Sequence, residues 1–135
     1  MDKIRKNGLV LSFDNGGSAA YDLRKIKSYN TSWVSEYDTS NAFDNYDFTK
    51  VSENYLGQRF SANITTSFLT EDEVTNFLRV LGYRVVTLND NVEFNGLVQI
   101  DNVTRELVEV TPKEKYYRLS FTAVAVALQG GSGGL

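Results

Sequence analysis

The segment 60–82 constrains the fold most, because a strand pattern in it runs directly into a helix pattern. Apolar or β-branched side chains alternate with polar ones over 60–68, the period of two that is typical of a half-buried strand. Over 69–82 the spacing changes to that of one apolar helix face. The apolar positions at i, i+3, i+4 and i+7 are Val74, Phe77, Leu78 and Leu81.

Both ends of this helix are specified by the sequence. Thr70 with Glu73 three residues later forms a capping box, in which each side chain satisfies a backbone donor of the first turn. Leu69 and Val74 occupy the positions of a hydrophobic staple across that end. Gly82 follows the last apolar position and is expected to end the helix as a left-handed C-cap.

The rest of the chain reads mainly as strands separated by turn residues. Asp14–Gly17 predicts a turn, and the polar loop 111–115 with the single proline is expected to join a hairpin. In the last strand the bulky residues change face at Val124, so either a bulge shifts the phase or both faces are covered. The predicted strands are 9–13, 23–29, 32–37, 60–68, 83–88, a short one with Val92 and Phe94, 97–100, 103–110, and one beginning near Tyr116.

Strands that flank one helix, rather than alternate with several, favour an antiparallel α+β fold over a parallel sheet. The aromatic share of 13% together with many Val and Thr residues supports a mainly antiparallel β domain. We therefore predict a small β-sandwich or barrel with one flanking α-helix at about 70–82. Residues 1–129 are expected to form a single β-rich domain with a polar loop at about 38–52, and 130–135 a flexible Gly/Ser tail or linker.

The composition excludes several kinds of chemistry. The chain has no cysteine and no histidine, which removes disulfides, thiolate zinc sites and His-based triads. Its net charge of -3 and the lack of a basic run argue against specific nucleic acid binding, and the charged N-terminus is followed by too short an apolar stretch for a membrane span. We expect no enzyme activity, no cofactor, no metal and no small-molecule substrate.

Two acidic clusters, 38–47 and 89–93, are candidate calcium sites made of oxygen ligands. The EF-hand pattern is absent from both, so solvated turns are the favoured interpretation. A pair of carboxylates could also run a hydrolase, but nothing in the sequence marks two acids that face each other across a cleft.

Aromatic side chains in and before the polar loop are the candidate contact residues. Loops carry most binding function, and Tyr and Trp are enriched at protein interfaces. Core packing competes with this role for most aromatic residues of the chain. The possible interface residues are Trp33, Tyr37, Phe43, Tyr46 and Phe48.

Four features follow one another along 26–128: the Trp-bearing strand 32–34, the polar loop to Ser52, the alternating strand that enters an acidic-capped helix, and the closing strand 117–122. This order resembles small tail, tail-tip and baseplate proteins of long-tailed bacteriophages that infect Gram-positive hosts. The resemblance implies a β-sandwich or barrel with a flanking helix that assembles into rings and acts through interfaces. The implied location is the virion tail, with synthesis in the cytoplasm of the bacterial host.

The leading hypothesis is thus a non-enzymatic virion subunit of the tail tube, tail tip or tail-completion type. Its expected partners are further copies of itself and neighbouring virion proteins. The alternative is a stand-alone carbohydrate- or protein-binding β-module that uses Trp33 and the loop aromatics as a stacking platform.

Overall fold

The computed structural model describes residues 8–17, 19–38, 54–82 and 85–129. Within these ranges the chain forms eight β-strands and one α-helix. In chain order they are β1 (Leu11–Asp14), β2 (Ala20–Leu23), β3 (Ile26–Asp38), β4 (Asn54–Thr66), β5 (Leu69–Thr70), α1 (Glu71–Leu81), β6 (Val85–Asn89), β7 (Asn95–Val110) and β8 (Lys115–Ala125).

The strands form one antiparallel sheet in the order β2-β1-β6-β7-β8-β4-β3, and the short β5 pairs with β8. The two strands at the ends of this order, β2 and β3, are joined by only Arg24 and Lys25. Consecutive Cα atoms lie 3.8 Å apart, so Leu23 and Ile26 are separated by at most about 11 Å. The sheet therefore has to curl until its ends approach each other, and it forms a half-barrel.

The prediction of a mainly antiparallel β fold with one flanking helix is confirmed. Helix α1 lies against the curled sheet and places Phe77 in an aromatic cluster. The Phe77 ring meets Phe13 at 5.1 Å and Phe121 at 5.7 Å edge to face, and it stacks on Tyr21 at 4.7 Å between ring centroids. Such ring pairs add to the stabilisation that burial of their apolar area provides.

The predicted capping box at the start of α1 is present. The Thr70 hydroxyl accepts a hydrogen bond from the Glu73 N–H at 3.3 Å, and the Thr70 N–H donates to the Glu73 carboxylate at 2.9 Å. The Lys25 ammonium lies 2.9 Å from the same carboxylate, which links the β2–β3 connection to the helix. Leu69 and Val74 are both buried, as the hydrophobic staple requires.

The predicted left-handed cap at Gly82 is wrong. Its φ of -62° and ψ of -11° are right-handed, and its N–H donates to the Leu78 carbonyl at 2.8 Å. The hydrogen bonding of the helix thus continues through Gly82, and no reversal of the backbone is needed there.

Two strand predictions in the middle of the chain need correction. Phe68 was predicted inside the alternating strand, but β4 ends at Thr66 and Phe68 is 42% exposed. Thr66 is buried because its hydroxyl accepts from the Leu119 N–H and donates to the Ser67 carbonyl, and these bonds turn the chain out of the ladder. Residues 92–94 form part of a turn instead of a strand.

The long strands also differ from the prediction. The segments 97–100 and 103–110 belong to one strand, β7, with a register shift between Asp101 and Thr104. Likewise 26–38 is continuous as β3, while 23–29 is interrupted at residues 24–25. The buried face does not change within β8. More buried and less buried side chains alternate as far as the buried Ala125, where the strand ends. The turn at 14–17 and the hairpin at 111–115 are confirmed.

Substitution Phe77→Ala is expected to lower the free energy of unfolding by about 3–5 kcal/mol, because it leaves a cavity among Phe13, Tyr21 and Phe121. The measurement is urea unfolding followed by the fluorescence of Trp33. Asn76→Ala, at an exposed position of the same helix, is the control and should change the value by less than about 0.5 kcal/mol. A loss below about 1 kcal/mol for Phe77→Ala would contradict this description of the core.

Candidate interaction surfaces

The outer half of β7 forms a free sheet edge. Strand β6 pairs with β7 only from Asn95 to Gln99, whereas β7 continues to pair with β8 as far as Val110. Beyond the register shift after Asp101, β7 therefore has a neighbour on one side alone among the described residues. We call residues 103–110 of β7 the arm edge.

The arm edge is exposed on both faces. Seven of its eight residues are exposed and the eighth, Val108, is partly buried. Its exposed apolar side chains include Leu107 at 53%, Val103 and Val110. Unpaired N–H and C=O groups along such an edge are a template for a further strand, and exposed apolar residues add to the tendency to associate.

The middle of β3 is covered by the turn between β6 and β7. The Tyr29 hydroxyl donates to the Asp90 carboxylate at 2.6 Å, and the Trp33 indole N–H donates to the Glu93 carboxylate at 2.7 Å. Thr31 adds a longer bond to Glu93 at 3.3 Å. These side chains connect strands that stand far apart in the sheet order, so they hold the curled sheet together across its opening.

Asp90 organises this turn from a fully buried position. One of its carboxylate oxygens accepts the backbone N–H groups of Val92, Glu93 and Phe94, each at 2.9 Å, and the other accepts the Tyr29 hydroxyl. A carboxylate with this many donors is stabilised in its charged form. In the acidic cluster 89–93, a candidate calcium site, both oxygens of the buried acid are therefore occupied, one by the turn and the other by Tyr29.

Burial alone would raise the pKa of the Asp90 carboxyl. The hydrogen bonds from Tyr29 and from the three backbone N–H groups outweigh burial, and the pKa lies below its ordinary value. Burial, followed by the hydrogen bond to Asp90, raises the pKa of the Tyr29 hydroxyl. The pair therefore stays as a neutral phenol donating to a carboxylate across the whole range near neutral pH.

Trp33 is half-buried and belongs to an aromatic cluster of its own. Its ring meets Phe60 at 5.1 Å and Phe94 at 6.1 Å edge to face, and Phe60 stacks on Phe94 at 4.1 Å. Its only polar atom is already bonded to Glu93. This packing favours a structural role for Trp33 over that of an open stacking platform.

The other predicted contact residues are not brought together by the described structure. The backbone of Tyr37 lies in β3, but its side chain falls outside the described residues. Phe43, Tyr46 and Phe48, with the polar loop and the acidic cluster 38–47, also lie outside them. Among the residues that are described, no group of three or more Asp, Glu, His or Cys side chains is placed to hold a metal ion.

A second candidate surface was not predicted from the sequence. Lys27, Ser67, Phe68 and Arg118 line an open pocket of about 400 Å³. They come from β3, from the connection after β4 and from β8, so no local sequence motif predicts the pocket. We call these four residues the cationic pocket.

Within the described ranges, no helix has the length and apolar character that crossing a membrane requires.

No model of a known protein family and no curated protein sequence matches this chain.

Substitution Asp90→Asn is expected to lower the free energy of unfolding at pH 7 by about 1–3 kcal/mol, because a weaker acceptor replaces the buried carboxylate. The folded-state pKa of Asp90 is depressed, so its stabilisation is present above the unfolded-state pKa of about 3.9 and is lost as the pH falls through the folded-state pKa. The difference between wild type and variant should therefore shrink below about pH 4.

The measurement for Asp90 is urea unfolding at a series of pH values. Glu109→Gln, which removes an exposed carboxylate from the arm edge, is the control, and it should change the free energy of unfolding at pH 7 by less than about 0.5 kcal/mol. A constant difference between wild type and Asp90→Asn from pH 7 to pH 2.5 would contradict the role assigned to the Asp90 carboxylate.

Proposed function

We propose that this chain is a non-enzymatic structural subunit of a bacteriophage tail, of the tail-tube, tail-tip or tail-completion type, which assembles with copies of itself into rings. The arm edge is the observation that carries the proposal. The proposal also rests on the resemblance in the order of elements along 26–128.

Exposure of the arm edge to water is energetically unfavourable because of its apolar side chains. An exposed strand edge with apolar side chains invites pairing, and proteins that stay monomeric usually shorten, cover or charge such edges. Here two register shifts and the charged Arg105, Glu106 and Glu109 moderate the edge, while Leu107, Val103 and Val110 remain exposed. This mixture favours selective pairing with a matching edge over unrestricted aggregation.

The open edges of the sheet also favour rings over twofold dimers. Another edge that is open to a neighbour is the part of β3 beyond Trp33, where Val34 is exposed and Ser35 and Glu36 follow. β3 is the last strand of the sheet, and its free edge faces away from β7. This edge differs from the arm edge in residues and charge. A contact between two unlike surfaces is heterologous, and it closes into a ring when the rotation between subunits allows it.

The alternative of a stand-alone carbohydrate-binding module receives less support from the described residues. Such sites present aromatic faces beside polar groups that are free to bond the ligand. The Trp33 indole is instead packed against Phe60 and Phe94, and its N–H is bonded to Glu93.

We expect the purified chain to form assemblies whose native mass rises with concentration. Substitution Leu107→Lys, which puts a charge on the arm edge, should shift this rise to at least about tenfold higher concentration, on the scale of 1.4 kcal/mol per tenfold. The control is Leu97→Lys on the same strand, where Leu97 is 52% exposed, pairs with Thr87 of β6 on one side and accepts the Val126 N–H on the other. Light scattering across concentration, with electron microscopy of the same samples, measures both.

Rings or stacked tubes in the wild type, lost in Leu107→Lys and kept in Leu97→Lys, would support the proposal. A wild-type chain that stays monomeric at high concentration, alone and with neighbouring tail proteins, would overturn it. Glycan binding that Trp33→Phe abolishes without unfolding the chain would move the function to the binding module.

A further inference from the structure

The cationic pocket joins two positive side chains to an exposed aromatic ring. Lys27 is exposed and has no hydrogen bond or ion pair among the described residues. The Arg118 guanidinium lies over the Phe68 ring, with the guanidinium carbon 5.3 Å from the ring centroid. Ser67 completes the lining of the pocket.

Arg118 is a mostly buried cation whose hydrogen bonding is incomplete. Its side chain is only 23% exposed, and its Nε–H is buried without a hydrogen-bond acceptor. Its one ion pair, to Glu106, spans 3.8 Å and ends on a carboxylate that is 67% exposed. A guanidinium in this state gains most from a carboxylate that accepts two of its N–H groups.

The ligand chemistry follows from these groups. Two cations require an anion, and the exposed Phe68 favours an apolar or aromatic group beside that anion. In a chain with a net charge of -3, such a pocket attracts acidic segments that the rest of the surface repels.

We propose that the cationic pocket binds the acidic, aromatic segment 38–48 of a second copy of this chain. The segment contains three aspartates and no lysine or arginine, and Asp44 and Asp47 alternate with Phe43, Tyr46 and Phe48. An aspartate pairs with Arg118 and Lys27, and a neighbouring aromatic side chain packs on Phe68. The inference rests on the proposed function, since it names the second partner surface of the assembling subunit.

The length of the chain favours a second copy over the same molecule. Asp47 is seven residues from Asn54, so it reaches at most about 25 Å from the start of β4. Ser67 lies thirteen residues after Asn54, at the far end of a strand that rises about 3.3 Å per residue, or about 40 Å in all. Asp47 is therefore too close to Asn54 along the chain to reach the pocket of its own molecule, and a contact between them joins two copies head to tail.

The direct test is titration of the full chain with a synthetic peptide of residues 38–53, followed by fluorescence anisotropy. Lys27→Gln and Arg118→Gln should each weaken binding at least tenfold, and binding should weaken as the salt concentration rises. The matched control is Arg79→Gln, which removes an exposed cation from helix α1. A peptide with Asp44→Asn and Asp47→Asn should not bind.

The second test is a charge reversal in the full chain. Lys27→Glu, at an exposed position that does not endanger folding, should lower the degree of assembly, and adding Asp47→Lys to the same chain should restore it. If the peptide fails to bind, or if benzoate binds the pocket as tightly as the peptide does, the inference is wrong. Assembly that is unchanged by Lys27→Glu and Arg118→Gln also overturns it.

The two proposals fail in distinguishable ways. Assembly that depends on Leu107 but not on Lys27 or Arg118 would keep the proposed function and remove the pocket from it. Peptide binding that depends on Lys27 and Arg118, in a chain that never assembles, would keep the pocket and overturn the ring-forming function.

Discussion

The two-residue connection between β2 and β3 is the constraint on which the rest of the structure depends. It ties together the two strands at opposite ends of the sheet order, so a flat sheet is geometrically impossible. The resulting curl creates the concave face on which α1 packs and buries Phe77. The connection is itself held to the helix by the ion pair of Lys25 with Glu73. Burial tends to raise the pKa of Glu73, but hydrogen bonds from Thr70 and Lys25 lower it overall.

Side chains, in place of backbone hydrogen bonds, complete the curl across the opening of the sheet. Asp90 shapes the β6–β7 turn with one oxygen and reaches β3 through Tyr29 with the other. Glu93 from the same turn holds Trp33. A turn that is built around one buried carboxylate therefore stabilises a contact between strands that are distant in sequence. The same arrangement explains why Trp33 packs inward, although an aromatic residue just before the polar loop was predicted to be a contact residue.

Two surfaces of the molecule remain open beyond this closure, the arm edge and the cationic pocket. Strand β7 is longer than the neighbour on its β6 side, so its outer half keeps unpaired backbone groups beside exposed apolar residues. At the end of β4 opposite Asn54, Arg118 is mostly buried but incompletely paired beside Lys27 and Phe68. Both features have costs in an isolated molecule that contact with another chain would remove.

Much of the local structure could be predicted from the sequence, because it depends on neighbours along the chain. The capping box of Thr70 and Glu73, the apolar face of α1 and the alternation in β4 and β8 arise from backbone periodicity and short-range hydrogen bonds. Other features depend on partners far away in sequence. Thr66, at the end of β4, bonds the Leu119 N–H, and the buried Asp90 bonds Tyr29 of β3. The cationic pocket is lined by three separate elements. The sequence by itself thus determined the fold class and the helix, while only tertiary structure decided the strand ends, the closure of the sheet and the candidate surfaces.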